Sequence, residues 1–243
     1  MKKIIALLLT LIMAVSMVAC SSGDDIHAKS EGVMTYEEYA AAALDTEVTV
    51  ECFVQATQSW YKDAITVYAQ DKDGAYFLYN LACAEADAAK LVPGTKIKVT
   101  GYKAEWAGEV EIVDGTFEIM EGTWKAEPMD ATALLGTDDL IKHQNKLVSF
   151  KGMTVEPSTD ANGNEVAFLY GWDGSGQPGT DADLYFNVSV NGQTYNFLVE
   201  YYLCNETTDV YQKVLNMQVG DQIDLEGFLY WYEGVNPHIT AIK

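Results

Sequence analysis

An all-β chain with a few short helices, built as two copies of one five-stranded unit, is what this sequence predicts. Three observations lead there. Short runs of alternating apolar and polar residues recur, separated by Gly-, Asp- and Asn-containing turns. The order of three strands, a helix and two strands can be followed twice. A seven-residue glycine spacing, Gly94–Gly101–Gly108, also reappears as Gly220–Gly227–Gly234.

The elements follow in order. Thr35-Tyr-Glu-Glu38 has the spacing of a capping box, and the Ala-rich run to Leu44 favours a short helix. Val48, Val50, Cys52 and Val54 then alternate with Thr49, Glu51 and Phe53, the period of a half-buried strand. A second strand is expected at 64–69, a tight turn at Asp73-Gly74 and a third strand at 75–79. Glu85–Leu91 suits a short helix stopped by Pro93-Gly94. Strands at 97–101 and 109–113 follow, with Glu109 and Glu111 reading as a solvated strand face.

In the second half Val148, Phe150 and Gly152 lie in an opening strand. Tyr185–Val190, Asn191-Gly192 and Tyr195–Glu200 form a hairpin, Thr207–Met217 reads as a helix, and Gln222–Phe228 as the fourth strand. Leu81-Ala-Cys83 and Tyr202-Leu-Cys204 occupy matching places after the third strand of each copy. Five strands with a helix between the third and fourth is the order of the OB-fold, a Greek-key barrel. The fold class expected is therefore two five-stranded OB-fold Greek-key barrels in tandem after a lipoprotein signal peptide.

That signal occupies the start of the chain. Lys2 and Lys3 precede an apolar run from Ile4 to Val18, too short and wrongly flanked for a membrane span. Met17-Val18-Ala19-Cys20 resembles the bacterial lipobox, with Met17 where Leu is commoner; the resemblance implies lipidation of Cys20. The divisions expected are a signal peptide at 1–19, a lipidated tether at 20–34, a first barrel at 35–121, a linker at 122–137 and a second barrel at 138–243. The paired segments Gly94-Thr-Lys-Ile-Lys-Val-Thr-Gly-Tyr102 and Gly220-Asp-Gln-Ile-Asp-Leu-Glu-Gly-Phe228 resemble the tandem OB-fold domains of exported bacterial lipoproteins. The resemblance implies a membrane-anchored, extracytoplasmic location. It brings no catalytic residues.

Loss of the signal removes Lys2 and Lys3 and moves the formal charge from −21 to −23. The chain has fifteen Lys and Arg residues together, all of them Lys. Without a basic face or the bidentate donor best suited to phosphate, nucleic acid is expected not to be a partner. Beyond Cys20 only Cys52, Cys83 and Cys204 remain, so no disulfide framework is expected. Cys83 and Cys204 read as buried small hydrophobes.

Other motifs dissolve on inspection. Gly174-Ser-Gly176-Gln-Pro-Gly179 fits the dinucleotide spacing, yet Pro178 interrupts it and no helix follows, so it reads as a flexible loop. Asp160, Asn162 and Asn164 open like a calcium loop, with Asp173, Asp181 and Asp183 nearby. Glu165 stands where the loop needs Gly, and Gly171 where it needs Glu, leaving a weak calcium site as an open alternative to a metal-free hairpin and no other cofactor expected. His238 reads as a satisfied barrel-edge residue. No nucleophile–base–orienter set is legible, so no enzyme is expected.

Aromatic residues carry the sharper signal. Ligands of OB barrels lie across one face, flanked by the loop joining strands one and two and the loop joining strands four and five. Trp60, Tyr61 and Trp106 fall in those loops in the first copy, and Trp172, Tyr230, Trp231 and Tyr232 in the second. Such rings stack on sugars or clamp peptide side chains; alternatively they cap the barrels or join them. The function expected is a binding module for a glycan, peptide or cation through these loop rims. The alternative is a structural subunit of a cell-envelope assembly, with another envelope protein as partner.

Overall fold

The computed structural model describes residues 25–243. The signal segment and Cys20 lie outside the described residues.

The first barrel opens with helix α1 (Tyr36–Ala41), whose capping box between Thr35 and Glu38 forms as the spacing requires. Strands β1 (Glu47–Thr57), β2 (Ala64–Gln70) and β3 (Ala75–Ala82) lead to helix α2 (Glu85–Ala88), then β4 (Thr95–Trp106) and β5 (Glu109–Thr123). They close in the order β1-β2-β3-β5-β4, with β4 returning to β1 and β3 parallel to β5. Val48, Val50, Cys52 and Val54 point into the core, as their alternation requires. The helices are shorter and the later strands longer than expected: α1 ends at Ala41 and α2 at Ala88, β3 runs to Ala82, β4 spans Thr95–Trp106, and β5 continues ten residues past Val113 because it pairs with β4 over nearly its whole course.

Strand β6 (Met129–Asp130) crosses into the second barrel and pairs in parallel with β7 (Leu147–Glu156). A long loop carries the small hairpin β8 (Ser158–Thr159)/β9 (Glu165–Val166) and the edge strand β10 (Leu169–Tyr170). Next come β11 (Leu184–Val190), β12 (Gln193–Val199), helix α3 (Asp209–Leu215), β13 (Gln222–Phe228) and β14 (His238–Ile242). β7, β11, β12, β14 and β13 form a second closed ring through the β11–β7 pairing. The chain is thus two OB-fold barrels in tandem. No helix among the described residues is long and apolar enough to cross a membrane.

The repeated glycine has a steric reason. At Gly101 a Cβ would stand 2.8 Å from the Val113 carbonyl oxygen, and at Gly227 2.2 Å from that of His238. Both sit at register shifts in the fourth strand, where the fifth strand passes too close for any side chain.

The described part of the expected tether packs against the barrel. Residues 25–34 lie on the outer face of β1: the His27 ring meets Phe53 and Trp124 edge-on, at 5.2 and 5.0 Å, and Lys29 Nζ donates to the Glu51 carbonyl and the Asp71 carboxylate. The Met34 N–H also bonds the Thr49 carbonyl. Glu51 and Phe53, outward by alternation, are buried beneath this cover. The linker packs as well, with the Ala126 N–H donating to Gln55 Oε1 at 2.8 Å.

Tyr68 and Phe77, on the outer face of β2 and β3, are buried by barrel two. Tyr68 stacks on Phe228 with ring centroids 4.5 Å apart, and Phe77 meets Tyr230 edge-on at 5.1 Å. Leu147 N–H donates to Gln70 Oε1, and Ser59 N–H to the Tyr202 carbonyl. Glu109 and Glu111 correct the expectation of a solvated face: they are 0% and 8% exposed, because the second barrel and its β13–β14 loop lie over β5.

Candidate binding cleft on the second barrel

The register of β11, β12 and β14 builds the floor of a cleft. Tyr185 lies opposite Leu198, and Leu198 beside His238. Alternation sends Leu184, Phe186, Phe197 and Val199 into the core, so Tyr185, Asn196, Leu198 and Glu200 face outward. Trp172 from the long β7–β11 loop forms one wall. Tyr230, Tyr232, Glu233 and Asn236 from the β13–β14 loop form the other, enclosing about 690 Å3. Trp172 is 78% exposed at the mouth.

The charged groups of this cleft are all acidic: Asp183, Glu200 and Glu233. Burial pushes the Glu200 carboxyl up to about 7, even though it accepts hydrogen bonds from the Tyr202 and Leu203 N–H groups and from Gln58 Nε2 of the first barrel. Burial also raises Asp183, which accepts the Tyr201 N–H at 2.8 Å, and lifts Tyr185 to about 12. His238 goes the other way. Burial lowers it to about 3, so it is neutral; its Nδ1 lies 2.6 Å from the Tyr68 hydroxyl, and its ring stacks on Tyr230 at 4.2 Å. It is a buried inter-barrel residue rather than one at a barrel edge.

The aromatics expected at the rims divide. Trp172, Tyr230 and Tyr232 come together here. Trp60 does not: its indole N–H donates to the Cys83 carbonyl at 2.8 Å and its ring packs on the first core, so it caps that barrel. Tyr61 is 66% exposed, under Lys62, away from the cleft. Trp231 joins the barrels, its N–H donating to Glu109 Oε2 and its ring lying against Gly108. Trp106 stands at a separate cavity between the barrels. The first barrel's own strand face is closed because the second barrel sits on it, so two equivalent mouths do not exist.

The calcium candidates do not converge, and among the described residues no group of three or more His, Cys, Asp or Glu side chains is placed to hold a metal. Asp160 instead closes the β8–β9 turn, accepting from the N–H groups of Asn162 and Asn164 and from Asn164 Nδ2. Asp173 accepts the Ser175 N–H, Asp181 lies beside Tyr201, and Asp183 belongs to the cleft. Cys52, Cys83 and Cys204 are free and buried, and burial raises all three thiols.

No protein-family model and no curated protein matches the chain. Solved structures do. The chain is similar to the Ifi202 HINa domain in complex with 20bp dsDNA, at 10% identity over 83% of this chain and 97% of that one, with a TM-score of 0.37. It is similar to p202 HIN1 in complex with 12-mer dsDNA, at 12% identity over 84% and 94%, with a TM-score of 0.36. A replication protein A heterotrimer bound to ssDNA matches at 10% identity over 86% of this chain and 52% of that one, with a TM-score of 0.29. Likeness at this level assigns no ligand to this protein, but one exclusion is corrected. Charge and missing arginine were grounds for excluding nucleic acid; two of the matched proteins are in complex with dsDNA and ssDNA, and the exclusion is withdrawn.

Sequence reasoning missed Tyr185, Asn196, Glu200, Asn236 and Asp183's place in the cleft. The alternation of 184–190 assigns Tyr185 to the outer face. No local pattern tells that face from any other solvated strand face.

Proposed function

We propose that the chain is a binding module whose second-barrel cleft takes a ligand carrying an alkylammonium group. The carrying observation is the union of aromatic walls with three carboxylates and no cation. Ring faces attract ammonium groups, and a bound cation relieves the carboxylates whose charged forms burial disfavours. A neutral glycan would stack on the same rings and donate hydroxyls to the carboxylates but bring no charge to offset theirs. Two of the three carboxylates, Asp183 and Glu200, are held in place by the backbone N–H groups of Tyr201, Tyr202 and Leu203.

Titration with n-butylammonium, followed by Trp172 fluorescence and calorimetry, tests this. Saturable binding is expected, weakened by high salt and by Trp172→Ala or Tyr185→Ala about tenfold, as a lost cation–π contact of roughly 1–2 kcal/mol implies. A cleft that ignores ammonium but takes up a neutral oligosaccharide or a single-stranded oligonucleotide sinks the assignment. Affinity should also rise between pH 6 and pH 8, because Glu200 loses its proton through about 7 and gains the charge a cation needs. A flat profile over that range would remove Glu200 from the site.

We also propose that the protein is lipidated at Cys20 and held on the extracytoplasmic face of a cell membrane. The lipobox-like Met17–Cys20 and the apolar run before it support this. Cys20→Ser should move the protein from the membrane to the soluble fraction and abolish incorporation of labelled fatty acid; retention of both would end the idea.

A further inference from the structure

A second cavity of about 340 Å3 opens where the barrels meet, lined by Tyr79, Trp106, Glu111 and Tyr230. Register explains the grouping. Glu111 on β5 lies opposite Phe77 on β3 and Ala104 on β4, so Tyr79 and Trp106, each two residues further on, share its face. Tyr230 reaches in from the other barrel. Trp106 is 62% exposed and Tyr79 44%, so two rings stand open rather than packed.

Glu111 is what makes this a site. It is 8% exposed, its carboxylate accepts no hydrogen bond from any described residue, and it lines the cavity. The carboxylate therefore meets the cavity and not a protein donor; burial raises it, and a cation supplied from the cavity would stabilise its charged form. Three aromatic rings around one carboxylate is the arrangement that recognises alkylammonium groups. Tyr230 also lines the second-barrel cleft, so the two cavities share a wall.

We infer that the junction cavity is a second cation site, and that the two sites together hold one flexible ligand carrying two alkylammonium groups. This rests on the ammonium reading of the second-barrel cleft. Joining two sites through one ligand makes the second contact intramolecular, so affinity gains depend sharply on the length of the link. The chemistry is shared by a free diamine and by a peptide with two lysine side chains.

The test is a series of α,ω-diaminoalkanes of increasing length beside n-butylammonium, with dilysine peptides of increasing spacing as a separate arm. One diamine length should bind at least tenfold tighter than the monoamine, with shorter and longer members falling away. Glu111→Gln and Trp106→Ala should each return that diamine to within about twofold of the monoamine. Monoamine binding at Trp172 should remain as it was. Glu111→Gln is close in shape and Trp106 is exposed, and matched melting curves would establish that both variants fold. In a Trp172→Phe background, quenching by the diamine but not by a neutral diol, and its loss on further Trp106→Phe substitution, reports the junction. Optima in the diamine arm alone, or in the peptide arm alone, support the paired site and identify its source of ammonium groups. Monoamine binding without any length optimum, or an optimum untouched by Glu111→Gln, overturns the paired site alone. A wild type in which Trp172 ignores monoamine overturns the cleft reading, and the paired site with it.

Discussion

Glu109→Gln should raise the melting temperature at pH 7 by roughly 6–12 °C and make stability much less dependent on pH. Glu109 is fully buried between the barrels, and burial pushes its carboxyl up to about 9. Its Oε2 accepts the Trp231 N–H at 2.9 Å, while its Oε1 and the neighbouring Asn145 Oδ1 are both buried acceptors without a donor. Burial outweighs the Asn145 and Trp231 contacts that favour the charge, so the folded protein holds Glu109 as the neutral acid at pH 7. The sign follows. A carboxyl whose pKa is higher folded than unfolded takes up a proton on folding, so its stability is complete below about 4.5. It declines as pH rises toward 9 and levels off above. At pH 7 the loss is about 3 kcal/mol, at 1.36 kcal/mol per pH unit, and in a chain of this size each kcal/mol is worth roughly 2–4 °C. Glutamine supplies the N–H permanently. Melting curves from pH 4.5 to 9 decide it: variant and wild type should converge at the acid end and diverge toward the alkaline one. A variant less stable than wild type at pH 8 would mean that Glu109 is charged in the fold.

Lys29→Met should destabilise the first barrel by about 3–5 kcal/mol, the range for stranding a buried charge. Asp71 is 1% exposed and holds the β2–β3 turn, accepting from the N–H groups of Asp73 and Gly74 and from the Tyr76 hydroxyl. Lys29 is its cationic partner and also ties down the Glu51 carbonyl. Beside it, Lys96 pairs with the buried Glu51 at 3.1 Å. Residues 25–34 are therefore part of the barrel's cover and not a spacer. Urea denaturation of Lys29→Met, and of the double variant with Asp71→Asn, separates the contributions. The double variant should recover part of the loss because no carboxylate remains unpaired. Equal stability of Lys29→Met and wild type would return the segment to the role of a tether.

Much of this was legible beforehand, and unevenly. The alternation Val48-Val50-Cys52-Val54, the Thr35/Glu38 box and the Asp73-Gly74 turn were legible because each depends on neighbours a few residues away. The doubling was legible because Gly101 and Gly227 answer to the same steric demand. Glu109 and Glu111 were misread because alternation distinguishes the two sides of a strand and is silent on what covers the outer one. Trp60 and Trp231 were misassigned for a related reason: loop membership does not say whether a ring turns toward solvent, its own core or the other barrel.

Local periodicity and turn chemistry were thus enough to establish two OB-fold barrels, since short-range backbone and side-chain preferences make those choices. Which barrel face stays open was settled only when Tyr68 and Phe77 met Phe228 and Tyr230 across a long separation in the chain. That packing closes one strand face, leaves the other open with its three carboxylates, and buries two acids where the pattern alone put them in water.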